Sequence, residues 1–299
     1  MANLRDIRNR IESIQNTQQI TRAMKMVAAA KLRKAQNRII ETRPYAAKLK
    51  EIVARLVDSE NEDNVLLRKP ESTDKVLFII VGSDRGLCGG FNNNLFKEVH
   101  KRIEKDFAEH KENETLSLIT IGRKATKHFG KRKFQLAQEF PGFFDELHFS
   151  QITEIMESVI SQFKANEYDE VYLAYNEFRS VIAQNRTIEK MLPIDPATLV
   201  DEDENEDPKR ENIEYIFEPD VEAILKELLP LHINMQLWKA ILESNAAEQG
   251  ARMTAMDNAT ENAKELEDDL RLEYNRARQS AITTEISEII SGAQALQES

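Results

Sequence analysis

Two long amphipathic helices at opposite ends of the sequence constrain this chain more than any other feature. Apolar residues recur at a heptad-like spacing across about the first 57 and the last 68 residues, and an α/β pattern lies between them. The N-terminal seam reads Leu4, Ile7, Ile11, Ile14, Gln18, Thr21, Met24 or Lys25, Ala28, Leu32, Ala35 and Ile39. One C-terminal row is Leu242, Gln249, Met256, Ala263, Leu270 and Ala277; the other is Ala246, Met253, Thr260, Glu267, Tyr274 and Ala281. Helices that each carry an apolar stripe and flank one compact unit bury those stripes most simply against each other. The sequence therefore predicts an antiparallel coiled-coil rod on a globular foot.

The seam is weak. Gln18, Thr21, Gln249, Thr260 and Glu267 occupy apolar positions, and alanines are frequent. Burial stabilises by about 25 cal/mol per Å² of apolar surface, so a seam this lean implies that other surfaces help to hold it. Register carries the same message. With Val57 level with about residue 232, Leu4 lies level with about residue 285, leaving ~12 residues, or ~18 Å of helix, without a partner. The stripe continues there as Ile282, Ile286, Ile289, Ala293 and Leu296, which calls for a covering protein. Met24, Met26, Met253 and Met256 are expected at matching levels of the seam, as adaptable packing.

The net charge of −11 is unevenly spread. Residues 1–57 hold 13 Lys/Arg against 4 Asp/Glu, whereas residues 232–299 hold 6 against 12. Antiparallel pairing brings opposite signs together and leaves positive charge pointing outward. Nucleic acid, anionic lipid and an acidic protein surface are the three readings of that excess, beside a merely solvated face. Arg8, Arg10, Arg22, Lys25, Lys31, Arg33, Lys34 and Arg38 interleave with the seam instead of lying upstream of it, so nucleic acid is the least favoured. No apolar run reaches membrane-spanning length, and the single cysteine, Cys88, forms no internal disulfide. The Arg-rich start keeps its helical period through Ile39 and reads as mature structure, not as a transit peptide.

The chain divides by pattern into an N-terminal coiled-coil helix (1–57), a polar linker (58–74), an α/β foot (75–200), an acidic loop (201–212) and a C-terminal segment with the long helix (213–299). Pro44 and Pro230 predict bends. Strands are expected at Val76–Val81, Leu116–Ile121 and Val171–Tyr175, and Phe178–Ile182 with Thr187–Leu192 as an antiparallel edge. Helices are expected at Asn92–Glu109, Lys124–Phe129 and Phe149–Ala165, giving a small doubly wound, Rossmann-like sheet. Asp201–Asp207 is too acidic to fold.

The most site-like segment is Gly82-Ser83-Asp84-Arg85-Gly86-Leu87-Cys88-Gly89-Gly90-Phe91-Asn92, which follows a strand and opens a helix. Such a loop can cradle phosphate on backbone amides. It lacks Gly-Lys-Ser/Thr, and its glycine spacing departs from the dinucleotide fingerprint, so the weight falls on a tight structural turn. Cys88 reads as a buried thiol and not as a nucleophile. His100, His110, His128, His148 and His232 show no metal-ligand spacing, and Asp268-Asp269 lie on a solvated helix face. No catalytic constellation, cofactor site or metal site emerges.

Four segments, Ile14–Ala29, Gly82–Asn92, Ala251–Met256 and Tyr274–Ile286, together resemble the γ subunit of F-type ATP synthase, and the resemblance covers the chain in the family's order. It implies a non-catalytic rotor shaft of a proton-translocating complex. The coiled coil would stand inside an α3β3 hexamer, and the foot would rest with ε on the ring of c subunits. It implies one copy per complex, indirect membrane association, and a place on the cytoplasmic face of a bacterial inner membrane. It also implies contacts to β through Met24, Lys25, Arg252, Gln279, Thr283 and Glu285, with Tyr215 and Phe217 near the c ring and ε. The Asp201–Asp207 loop departs from the family's common pattern. A nucleotide-binding α/β protein and a free-standing coiled-coil scaffold are the competing readings.

Overall fold

A computed structural model describes residues 4–57, 64–68, 70, 72–132, 134–181, 183–199, 218 and 220–297. The expected acidic loop at Asp201–Asp207, the apolar stretch Ile213–Phe217, and with it Tyr215 and Phe217, lie outside the described residues. The chain forms two compact units, Met1–Ala29 with Arg252–Ser299, and Ala30–Ala251. Two helices contribute to both: α1 (Leu4–Leu56) and α7 (Val221–Gln297). Each is assigned without interruption through its proline, Pro44 in α1 and Pro230 in α7. A helix of 53 or 77 residues tolerates one missing donor because the turns on either side remain bonded.

In the Ala30–Ala251 unit, β1 (Val76–Val81), β2 (Leu116–Ile121), β3 (Gln135–Phe140), β4 (Glu170–Phe178) and β5 (Gln184–Leu192) form one sheet in the order β3-β2-β1-β4-β5. All neighbouring pairs are parallel except β4 with β5. The buried β1 run shows why its sequence lacks alternation: both faces are covered. Leu77, Ile79 and Val81 point into a core shared with Ile152, Ile155 and Met156 of α5 (Phe149–Lys164), Leu49 and Val53 of α1, and Leu229 and Ile233 of α7. Val76, Phe78 and Ile80 point into a second core with Leu95, Phe96 and Val99 of α2 (Phe91–Asp106) and Phe129 of α4 (Arg123–Gly130). Two short helices complete the unit, α3 (Ala108–Glu112) and α6 (Pro196–Leu199). A 3-10 turn at Val65–Leu67 buries Leu66 and Leu67 against the first core, within the stretch expected to be polar linker.

Three differences from the sequence reading have physical causes. The strand expected at Val171–Tyr175 and the start of the edge expected from Phe178 are one strand, β4, and β5 returns antiparallel to it from Gln184; between them the Ser180 hydroxyl oxygen accepts the Ala183 amide at 3.0 Å. Strand β3 was not anticipated because Gln-Leu-Ala-Gln-Glu-Phe has little β-propensity; pairing with β2 creates it, and only Leu136 and Phe140 pack on the two cores. The helix expected to run through Glu109 breaks at Phe107, whose ring turns into the second core beside Phe78, 5.4 Å between centroids.

The other unit holds the N-terminal part of α1 antiparallel to α7. The Gln15 amide donates to the Glu267 carboxylate at 2.7 Å, Thr21 meets Thr260 at 2.7 Å, and Lys25 pairs with Asp257. Every position of both predicted seams in the described chain is buried or half-buried. The register, however, is offset from expectation by about one heptad, which puts Leu4 opposite about residue 278. Heptads repeat, so the sequence specifies the phase of a seam far better than its absolute alignment. Met26 is the other correction: it is 62% exposed, on the outer face of α1, whereas Met256 is buried and Met24 and Met253 are half-buried.

Candidate functional site

Shifting the pairing by a heptad lengthens the end of α7 that has no partner among the described residues. From Ile282 onward α7 is exposed at every residue whose side chain is described, and Ile282, Ile286, Ile289 and Ile290 stand out as large apolar groups in solvent, Ile289 at 70%. Contiguous apolar faces of that kind, rare on monomeric proteins, mark interaction surfaces. Of the β-contact residues the resemblance implies, Thr283 and Glu285 lie on this exposed stretch and Gln279, also exposed, lies just before it; the Thr283 hydroxyl donates to the Gln279 carbonyl at 2.9 Å. Met24 and Lys25 are half-buried at the paired level, and Arg252 is buried. In the same unit Arg8, Arg10 and Arg22 are exposed, as the outward positive face required.

The seam's polar residues satisfy one another. The Glu267 carboxylate accepts Gln15 Nε2 and, from its own helix, Arg271 Nε at 3.0 Å and Nη2 at 2.7 Å. These hydrogen bonds, first from Gln15 and then from Arg271, hold its pKa below the ordinary carboxylate value. A charged residue at a seam position is thus a bonded layer and not a defect.

In the larger unit, the glycine-rich loop leaves the carboxyl end of β1, beside the point where the strand order reverses. In open α/β sheets that crevice is where ligands enter. Here α7 packs in that place: Ala247 is buried against Cys88 and Phe91, with Phe178 and Ala251 alongside. Gly250 contributes closeness, since a Cβ there would come within 3.4 Å of the Val181 carbonyl. The Gln184 amide donates to the Ala247 carbonyl at 3.0 Å. The small residues of this stretch of α7 fit it against the chain's own sheet.

The loop's polar groups point inward as well. Asp84, buried, accepts the backbone amides of Arg123 at 2.9 Å, Gly142 at 2.7 Å and Phe144 at 2.8 Å, and so ties the ends of β1, β2 and β3 together. Asn92 accepts the Ser83 amide at 3.0 Å and donates to the Ser83 hydroxyl at 2.7 Å and to Cys88 Sγ at 3.4 Å. This is the tight structural turn, with Cys88 buried in it. Gly122 meets it with φ 97°, and a Cβ there would lie 2.7 Å from the Gly82 carbonyl oxygen. Leu87 is the outward exception: its backbone is left-handed at φ 62° and its side chain is 65% exposed. Among the described residues no group of three His, Cys, Asp or Glu side chains is arranged to hold a metal ion.

These surfaces belong to a known protein type. A family model described as ATP synthase matches residues 3–296. An ATP synthase gamma chain from Chlorobaculum tepidum is 49% identical over the whole of both chains, and one from Salinibacter ruber is 48% identical, again over the whole of both. The chain belongs to the ATP synthase gamma-chain family. Among solved structures, the central stalk and c ring of the Tetrahymena thermophila mitochondrial ATP synthase includes a similar chain with TM-score 0.60 and 25% identity, covering 80% of this chain and 99% of that one. A chain of the Euglena gracilis mitochondrial OSCP/F1/c-ring assembly superposes with TM-score 0.66 at 20% identity, covering 98% and 94%, and shows the same fold. The chain is accordingly a non-catalytic rotor subunit of an ATP synthase.

Proposed function

We propose that the chain transmits torque between a ring of c subunits and an α3β3 hexamer, one copy per complex, with ε beside it at the foot. The observation that carries this reading is the apolar end of α7 from Ile282 onward, a stretch with no partner among the described residues and four isoleucines in solvent. A sleeve of α and β subunits would cover it, and the lean, polar seam would be held from outside. Exposed Arg8, Arg10 and Arg22 would face acidic loops on β, where complementary charge sets orientation and partner choice.

No bond chemistry is asked of the shaft. An asymmetric helix pair contacts three β subunits differently at any angle, so each angle favours a different set of open, loose and tight sites through differential contact energy. Met24, Lys25, Arg252, Gln279, Thr283 and Glu285 are the proposed contacts. Buried Arg252 would act by supporting the seam and exposed Gln279, Thr283 and Glu285 by direct touch. Tyr215 and Phe217 are proposed for the side facing the c ring and ε. No helix among the described residues is long and apolar enough to cross a membrane. Attachment through the c ring would place the subunit on the cytoplasmic face of a bacterial inner membrane.

Co-expression with α and β tests the proposal. An ATP-hydrolysing assembly containing one copy of this chain, in which a bead on the foot rotates, is the expected result; a hydrolytic α/β assembly that excludes the chain would refute it.

A further inference from the structure

His100 on α2 and His128 on α4 lie far apart in sequence, yet their Nε2 atoms are 3.1 Å apart. The rings are inclined at 49°, with centroids 5.3 Å apart. Aromatic neighbours fix both: Phe96 lies 4.5 Å from the His128 centroid, and Phe129 and Phe134 lie 5.2 and 5.5 Å from that of His100. Both histidines are half-buried, so the pair is immobilised on one side and open to water on the other.

We infer that His100 and His128 form a binding site for a borderline transition-metal dication such as Zn²⁺, held by the two Nε2 atoms with water completing its coordination. Spacing is the main argument. Zinc-bound imidazole nitrogens lie about 2.0–2.1 Å from the metal, so two adjacent ligands at angles between square and tetrahedral are about 2.8–3.4 Å apart. The two nitrogens already stand at that separation.

Protonation suits the role. Burial, and then Arg132, lower the pKa of both rings, that of His128 to about 4, so both are neutral at pH 7 as ligands must be. Without metal, one Nε2–H donates to the other Nε2. Metal binding requires that donor ring to carry its proton on Nδ1 instead, and no net proton is released. Arg132 and Lys111 oppose a dication and Glu104, one turn along α2 from His100, favours it. With only two protein ligands the site is an exchangeable one that ties α2 to α4, not a closed structural centre.

Calorimetric titration of the untagged full chain with Zn²⁺ at pH 7.5 should show one site, weakened at least about tenfold in His100→Gln and in His128→Gln. Circular dichroism checks that each variant remains folded. Cu²⁺ added to the wild-type chain should give an electron paramagnetic resonance spectrum with coupling to two nitrogens. Absence of that coupling, or undiminished Zn²⁺ binding by the H100Q/H128Q double variant, overturns the proposal, and the spectrum decides even where a variant misfolds.

Discussion

Thr21 of α1 and Thr260 of α7 meet hydroxyl to hydroxyl, 2.7 Å apart, inside the helix seam. Each also reaches a carbonyl of its own helix, Gln18 at 3.1 Å and Met256 at 2.7 Å. One polar layer in an apolar seam penalises every alignment that sets a hydroxyl against a methyl, and so selects a register that heptad periodicity alone leaves open.

Replacing one of these threonines with valine should therefore cost more than replacing both. Thr260→Val or Thr21→Val is expected to destabilise by about 1 kcal/mol, and the double variant to recover at least half of it. Urea unfolding of the full chain, followed by circular dichroism and analysed as a double-mutant cycle, measures the coupling.

Asp84→Asn should lower stability by about 1–3 kcal/mol. Oδ1 receives the Arg123 and Gly142 amides and Oδ2 receives Phe144, so an amide NH₂ in either place opposes at least one buried donor. A variant with an unchanged urea midpoint would show that the loops after β2 and β3 do not depend on this carboxylate.

Acid should weaken the fold partly through His232. Burial, with a smaller contribution from Lys50, lowers its pKa to about 4 from an ordinary value of 6.5. Between those values the unfolded chain binds the proton and the folded chain does not, so stability falls as pH drops from about 6.5 and levels off below about 4. Glu189 and Glu243, raised first by burial, act in the opposite sense, so a comparison with His232→Gln isolates the histidine. The variant should be less acid-sensitive by up to about 3 kcal/mol at pH 4, read from urea midpoints across that range.

Backbone amides of residues 282–291 should exchange within seconds in the free chain and become protected on assembly with α and β. A helix without tertiary partners opens locally at little cost. Equal exchange in the two states, measured by mass spectrometry, would mean that nothing covers the isoleucines.

Much of this was legible beforehand. The seam rows from Leu4 to Ile39 and from Leu242 to Ala281, the continuous strand Val76–Val81 and the turn-like character of Gly82–Asn92 all follow from periodicity or from glycine placement. The exposed isoleucines were legible as a surplus of stripe over partner. Strand β3 was not, because Gln135–Phe140 becomes a strand only by pairing with β2. Nor was the packing of Ala247 and Gly250 against the chain's own sheet: small residues say that something comes close, not what. His100 and His128 gave no signal, since ligand spacing is visible in sequence only when one element carries both residues.

Sequence alone determined the phase of each helix, the two-faced burial of the central strands and the family, because these are written in local periodicity and in long uninterrupted motifs. Tertiary structure decided the heptad at which α1 meets α7, the occupant of the crevice at the end of β1 and the meeting of two histidines. Each of these is a choice among alternatives that the same pattern of apolar residues satisfies equally well, and only specific contacts such as Thr21 with Thr260 and Asp84 with the Gly142 amide separate them.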